Sequence, residues 1–600
     1  MSGDSMGSMR RTPLLARAWL VAALLGGHLA AGAAVIEGHV VGADGKPVPG
    51  ALVTLAKDDE LLRETVYTNR AGRYELGTAQ TGEARLQVRA PGYADQVRKL
   101  SVVDARAVDW VLTPSTDPQA LSDAMPASAF AAIVKIDDKK VRTEFRSQCF
   151  FCHQIGNAWT RKVRNQEEWE AVTDRMQRYG ALITWHSEKT IIASLMDAFK
   201  GAPLADHERR ERDPEIATAR LTEVRVGEHG AFLHDVDIGP DGRFYSCDMA
   251  NDAIYATDLA TARSTVSKMP SFDQPLHGDL AGGSAPVAAF NAHHGPHSIV
   301  RGPDGRFYTT NSMSAEIGVF DPATGVHRFV KIGHGAIYPH TLRFDKNGIA
   351  WFSIAMSDQI GRYDPRTDAV QVINLPSGGF WQWLADEMFG VVLKVASWFP
   401  GQDLHLILSH HKWSGQGHKI LNLPYGIDVD PRDGSVWYSK LYADKIGRYD
   451  PATGKVEEFS TPEPGPRRLR FGSDGTLWIP AFGGSALMKF DTATRRFTSY
   501  PMPVLDRDEF ETPYAVNVEP HTGDVWVTSN LSDRMFRFNP QSEKWVAYPL
   551  PTRVTYLRDI VFMADGGVCS TNSNLPSDAV EGRHQSLLCL HPDAVPENGH

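Results

Sequence analysis

The chain has 600 residues, 42% hydrophobic and 22% charged, and carries a net charge of −10. That length exceeds what one hydrophobic core organises, so several domains are expected. The acidic balance gives no support to a nucleic-acid partner, and five cysteines are too few for a disulfide-built scaffold.

At the N-terminus, Arg10, Arg11 and Arg17 precede an apolar stretch from Trp19 to Ala30, and Ala31, Gly32 and Ala33 form an A-x-A cleavage signal. Residues 1–33 therefore read as a secretory signal peptide, which places the mature chain in the periplasm. The apolar run is too short and too Gly-rich to span a bilayer, and no cysteine stands at the cleavage point to take a lipid. Residues 35–113 alternate apolar and polar positions in short runs broken by Gly45-Lys46-Pro47, Pro49-Gly50, Gly72 and Pro91-Gly92, the pattern of a small β-sandwich. The segments "EGHVVGADGKPVPGALVTL", "TNRAGRYEL" and "VRAPGYADQ" resemble the carboxypeptidase regulatory-like domain. The resemblance implies a spacer or docking module without chemistry of its own. Pro114, Ser115, Pro118, Ser122 and Pro126 mark residues 114–130 as a linker.

A segment at 131–205, helical by pattern, follows. It holds Cys149, Phe150, Phe151, Cys152 and His153, the C-x-x-C-H sequence for covalent attachment of haem c. Two thiols at that spacing reach the two vinyl groups of a porphyrin, and the next residue offers an imidazole to the iron. Attachment outside the cytoplasmic membrane agrees with the export signal. Zinc is the competing occupant, and it wants a fourth ligand and usually a second C-x-x-C. Trp169, Val172, Met176 and Tyr179 fall at i, i+3, i+7 and i+10, one helix face, expected to meet the porphyrin. Met176, 23 residues beyond His153, can offer its thioether as second axial ligand; His186 and Met196 are rivals, and ordinary core packing is the other reading of the stripe. The order of motif, Met helix and final helix resembles a small class I cytochrome c, which implies electron transfer.

The rest of the chain, residues 220–595, is a repeat. Seven units such as "HSIVRGPDGRFYTTNSMSAEIGVFDPATG" and "YGIDVDPRDGSVWYSKLYADKIGRYDPATG" carry turn glycines at Gly242, Gly305, Gly348, Gly434, Gly475, Gly523 and Gly566, spaced by 41 to 48 residues except where insertions lengthen two intervals. Alternating strands joined by D-G or N-G hairpins, four to a unit, make a seven-bladed β-propeller. The strand "LTEVRVG" at 221–227 has no unit before it and the seventh unit lacks a fourth strand, so the first is expected to complete the last blade. The fold class is thus multidomain and mainly β: a propeller with an N-terminal sandwich and a small helical cytochrome c-like domain. Cys569 and Cys589 can pair across the last repeat, which leaves Cys247 over.

The residue just before each innermost strand is expected to point into the channel, which gives a ring of His234, His297, His340, Tyr425, Arg468, Tyr514 and Arg558. None is apolar, so the ring is the candidate catalytic site. Histidines His234, His297 and His340 on adjacent blades can hold a transition metal such as Cu, Fe or Zn, or they can hydrogen-bond backbone around the channel mouth. His229, His293, His294 and His334 stand close to them in sequence. Arg468 and Arg558 can attract an anionic group, and Tyr425 and Tyr514 can stack or hydrogen-bond, which fits a carboxylated or phenolic small molecule.

The marks "GPDGRFY", "DGTLWI" and "IGRYDP" resemble the propeller of the virginiamycin B lyase family. That resemblance implies two Pro-His motifs, matched by Pro296-His297 and Pro339-His340, with acidic partners and Mg²⁺ for elimination at an ester. The acids do not follow: Tyr338, Ile354 and Ala355 stand where glutamates are expected, and Asp248 is the one acid at a comparable place. A histidine-rich, carboxylate-poor site suits Mg²⁺ badly.

An insertion at 378–420 contains "FWQWLADEMFGVVLKVASWF" at 380–399, expected to be a helix lying on a membrane, a partner or the channel mouth, or packed on the propeller. His410, His411 and His418 follow it in a stretch that can fold over the channel as a lid. The leading expectation is an oxidoreductase: substrate reacts in the channel and electrons leave through the haem to a periplasmic carrier. A metal-dependent C–O lyase and a non-catalytic electron-transfer or binding protein are the alternatives.

Overall fold

Six four-stranded antiparallel sheets follow one another along the chain, each built from four consecutive strands. The first runs from Leu233–Ile238 to Arg263–Lys268, and the innermost strands of the next five are Pro296–Arg301, Pro339–Phe344, Pro424–Val429, Arg470–Phe471 and Pro513–Val518. A seventh sheet takes Val561–Phe562, Val568–Asn572 and Ser586–His591, and its fourth strand is Arg220–Arg225, with Cys589 opposite Thr222. The unpartnered N-terminal strand therefore closes the ring of a seven-bladed propeller. This computed structural model describes residues 34–102, 106–204, 212–274, 276, 292–333, 335–380, 382–384, 387, 388, 391, 395 and 421–594. The expected signal peptide, His334, His410, His411, His418 and most of the 378–420 insertion lie outside those residues.

All seven turn glycines have left-handed backbone, with φ between 74° and 88°, which is why each hairpin needs one. The "IGRYDP" glycine has a different cause. Gly361 lies opposite Phe352 and Gly447 opposite Tyr438 on the neighbouring strand, and a Cβ on either would stand 2.1 Å from the facing ring. The glycine is the seat of an aromatic ring.

The closing strand has a second edge. Arg220–Arg225 also pairs with Leu62–Tyr67 of the N-terminal sandwich, so blade seven and one sandwich sheet form a single eight-stranded sheet. The other sandwich sheet is built on Ala34–Gly42, and Trp110, Val53, Leu55 and Leu86 fill the space between them. Arg89 reaches Glu581 of the propeller at 2.6 Å, and Tyr67 donates to the Pro549 carbonyl at 2.6 Å. The module expected as a spacer is thus fixed to its own propeller.

Five short helices occupy 118–198: Pro118–Asp123, Ala127–Ala132, Lys139–Gln148, Gln166–Arg178 and Trp185–Ala198. The first two correct the reading of 114–130 as a linker. Asp117 caps the first helix with Pro118 at its opening turn, so the proline starts a helix here, and Ala127, Ala129, Phe130 and Ala131 of the second are core residues. Phe482, Phe510 and Leu531 of the propeller belong to the same core, so the helices are seated on the blades. In the insertion, the described residues include helical positions with Phe380 and Trp383 exposed, and no helix among the described residues is long and apolar enough to cross a membrane.

Cys569 and Cys589 form a disulfide between neighbouring strands of blade seven. Cys247 is a buried free thiol that donates to the His297 carbonyl at 3.3 Å.

Candidate functional site

The register of the inner strands is broken in five blades, between Leu233 and Val236, Pro296 and Ser298, Pro339 and Leu342, Pro424 and Ile427, and Pro513 and Ala515. His234, His297, His340, Tyr425 and Tyr514 all sit inside these irregularities. A bulge leaves its extra residue unpaired and re-aims its side chain, and here it aims toward the axis. The ring residue is thus the second residue of the strand in these blades, each strand beginning two places earlier than expected, while Arg468 and Arg558 do precede their short strands.

All seven ring residues converge. The His234 and His297 rings are 3.6 Å apart, His297 and His340 3.9 Å, and His340 and Tyr425 3.9 Å. Tyr425 Oη lies 3.1 Å from Tyr514 Oη, which in turn lies 3.4 Å from His234 Nε2. Arg468 and Arg558 approach the Tyr514 ring at 5.3 and 5.1 Å. No ring residue is more than 3% exposed, so this end of the channel is closed.

The three imidazoles lie in series around the ring, with tilts of 38° and 45° between neighbours and 6.5 Å between the outer two. His234 Nδ1 is held by Asp235 at 2.9 Å and His340 Nδ1 by Thr341 Oγ1 at 2.9 Å, while His297 Nδ1 has no partner. Among the described residues, no three His, Cys, Asp or Glu side chains form a group that could hold a metal ion. The arrangement therefore does not fit the expected transition metal. Burial and the neighbouring guanidiniums hold all three histidines well below the ordinary imidazole range, so each is neutral. Asp248 serves its own loop, accepting from the backbone of Phe232 and Ala250. His294 belongs to a structural ion pair with Glu316 at 3.0 Å, and His229 is exposed.

Two residues that the ring position did not single out complete the site. Arg467 lies against four rings, 4.6 Å from Phe151, 4.9 Å from Tyr425, 4.1 Å from Phe482 and 4.2 Å from Tyr514. It precedes Arg468 before a strand only two residues long, so two consecutive side chains reach the axis. Tyr556 is the other. Its Oη donates to the Phe150 and Phe151 carbonyls at 2.9 and 2.6 Å.

Those carbonyls belong to the C-x-x-C-H turn. Cys149 caps the helix Lys139–Gln148, and the turn after it rests on the channel ring. Arg467 Nη2 donates to the Phe151 carbonyl at 3.3 Å, and the Phe151 ring meets Tyr425 edge-on at 6.0 Å. Cys149, Cys152 and His153 are half-buried, Cys149 against the core of the helices. Burial pushes the Cys149 thiol up to about 12 and raises Cys152 as well. His153 Nδ1 lies 3.0 Å from the Gln154 carbonyl, which only accepts, so Nδ1 carries the proton and the Nε2 lone pair is left as ligand atom. Burial lowers its pKa and keeps it neutral. Two free thiols and an imidazole in this tautomer fit covalent haem.

The expected porphyrin-facing stripe does not hold together. Trp169 is buried against Phe199 at 6.2 Å, Val172 packs on the same core, and Tyr179 is exposed at the helix C-cap. This face of the amphipathic helix is spent on the core of its own segment. Met176 is partly buried on that helix, His186 is exposed, and Met196 packs on the helical core. Met356 of blade three, not singled out from sequence, packs in one cluster with Phe151 and Tyr338.

Residues 35–113 match the model of the carboxypeptidase regulatory-like domain. No curated protein matches the chain. Among solved structures, the chain is similar to selenomethionine-substituted virginiamycin B lyase from Staphylococcus aureus, at 16% identity over 62% of this chain and 99% of that one, with a TM-score of 0.45. A streptogramin B lyase is similar at 17% identity over 62% of this chain and 97% of its own, with a TM-score of 0.45. A hydrazine synthase from Kuenenia stuttgartiensis is similar at 13% identity over 61% and 96%, with a TM-score of 0.41.

Proposed function

We propose that the chain is a periplasmic haem c oxidoreductase in which a small molecule reacts at the closed end of the propeller channel and electrons would pass through the haem to a periplasmic carrier. One observation carries this reading: the C-x-x-C-H turn is docked on the channel ring by Tyr556, Arg467 and Phe151. Cys149 and Cys152 would hold the porphyrin and His153 its iron, and the bound group would supply a one-electron acceptor. The side chains beneath the turn do the rest. Burial works to raise the Tyr514 phenol, but the guanidiniums of Arg468, Arg558 and Arg467 outweigh it and hold the group below the ordinary phenol range. Tyr425, its hydrogen-bonded neighbour, is pushed well above that range by burial and stays protonated. Neutral His234, whose Nε2 lies beside the Tyr514 hydroxyl, is placed to take the proton released as a substrate is oxidised, with the Tyr514 hydroxyl passing it on. Exclusion of water by the docked turn strengthens every charge interaction in the channel.

The experiment is a screen of periplasmic reductants, phenols and small carboxylates for reduction of the haem absorption bands. His297→Ala and His340→Ala are expected to keep the haem spectrum and slow substrate-driven reduction by roughly tenfold or more, the range of a lost positioned group. Unchanged reduction in both variants removes the channel as the reaction site. Cleavage of a cyclic depsipeptide without any change in the haem bands would establish the lyase instead.

A further inference from the structure

The charges around the channel do not balance. Asp559 receives Arg343 at 2.6 Å, Arg468 at 3.2 Å and Arg470 at 3.6 Å, and Asp235 receives Arg468 at 2.9 Å. Two carboxylates thus serve three guanidiniums. Arg467 and Arg558 are left over: among the described residues neither has a carboxylate partner, and they are 0% and 2% exposed. Arg558 has one side-chain hydrogen bond, from Nε to Ser573 Oγ at 2.6 Å, and its Nη2 has no partner. Among the described residues Arg467 donates only to the Tyr425 and Tyr556 hydroxyls and the Phe151 carbonyl, and its Nε has no partner there. Both lie against the same two tyrosines, Arg558 at 5.1 Å from the Tyr514 ring and 4.4 Å from the Tyr556 ring, and Arg467 at 4.2 Å from the Tyr514 ring with Nη1 3.4 Å from Tyr556 Oη.

Burying a guanidinium without a counter-charge is costly, and ring faces and neutral oxygens recover only part of that cost. Two such groups against the same pair of tyrosines, with N–H donors to spare, present the donor set that an anion takes. We propose that the closed end of the channel binds a small anion, a carboxylate or a planar inorganic oxyanion, between Arg467 and Arg558. Arg468, which ring position alone nominates for this role, is neutralised by Asp235 and Asp559 and holds the ring together instead. The inference names the ligand class of the proposed site and rests on that reading for its catalytic use, while anion binding itself needs no electron transfer.

The test is thermal denaturation of the mature haem-loaded protein in rising sodium formate or sodium nitrate, with Arg467→Gln and Arg558→Gln alongside. The wild type is expected to gain stability saturably, and each variant to bind roughly tenfold more weakly or worse, the loss of one charge-assisted hydrogen bond. Without added anion, both variants should melt no lower than the wild type, because each loses an uncompensated buried charge. A response to formate alone assigns a carboxylate ligand, and a response to both assigns planar oxyanions generally. No response to either in the wild type, or lower melting of both variants with the anion response retained, overturns the proposal and leaves the arginines as packing. If the haem bands never respond to substrate but the formate response persists, the oxidoreductase reading fails and the anion site stands.

Discussion

His327 bridges the first two blades, with its Nε2 2.8 Å from Ser267 Oγ and its ring stacked on Phe320 at 4.7 Å. Burial, with some repulsion from His294, lowers its pKa from 6.5 to about 4. The unfolded chain therefore takes a proton below pH 6.5 that the folded chain refuses until about 4, so the stabilisation is whole above 6.5 and is lost as pH falls through that window. Partial exposure of the ring discounts the full linkage value to about 2 kcal/mol. Urea unfolding at stepped pH should show the wild type losing about that much more stability than His327→Gln between neutral pH and the lower limit. Parallel slopes for the two proteins would refute the assignment. At this scale the sequence was informative about which residues reach the channel and uninformative about which are neutralised. His234, His297, His340, Tyr425, Arg468, Tyr514 and Arg558 stand at one repeated position, and period alone finds them. That Arg468 is paired and Arg467 is not depends on Asp235 and Asp559, which lie on other blades and share no local pattern with it.

At the scale of elements, the repeat was readable because its cause is local. A left-handed hairpin residue must be glycine or nearly so, and seven in series mark seven hairpins. The bulge that turns a side chain to the axis is a matter of pairing between strands, and a single strand carries no sign of it, so the ring residues are found by period but five of their strands begin two residues earlier than expected. Helices starting at Pro118 and Ala127 were hidden for another reason, since a proline in the first turn and a proline in a linker look alike until a cap is seen. The glycine of the third strand gives a direct test. Gly361→Ala puts a methyl 2.1 Å from the Phe352 ring, which cannot retreat because it is fully buried in the cluster with Leu342 and Tyr363. Overpacking of this kind costs about 2 kcal/mol. The urea midpoint should fall with no change in slope, and an unchanged midpoint would show that the blade has slack at this seat.

At the scale of the molecule, the strand Arg220–Arg225 joins what the sequence separates. Its partners are Leu62–Tyr67 on one side, 154 residues away at the Val66–Arg220 pair and 162 at Leu62–Val224, and Ser586–His591 on the other, 361 residues away at Ser586–Arg225 and 371 at His591–Arg220. No sequence pattern announces such pairing, because a strand shows its faces in its side chains and its edges only in its backbone. The consequence is mechanical. Were the sandwich to unfold alone, it would expose the backbone edge of the strand that closes the propeller and break the Arg89–Glu581 contact. The two bodies should therefore unfold in one transition despite having separate cores. Native-state hydrogen exchange in rising urea is expected to show Leu52–Ala56 of the sandwich and Ser586–His591 of blade seven losing protection together. Val224→Pro, in the middle of the shared strand, should lower both by the same amount, because proline removes a ladder donor from a strand paired on both sides. A sandwich that loses protection at lower urea, with blade seven still protected, would mean that the shared ladder contributes little and that the regulatory-like module is held to the propeller by side chains alone.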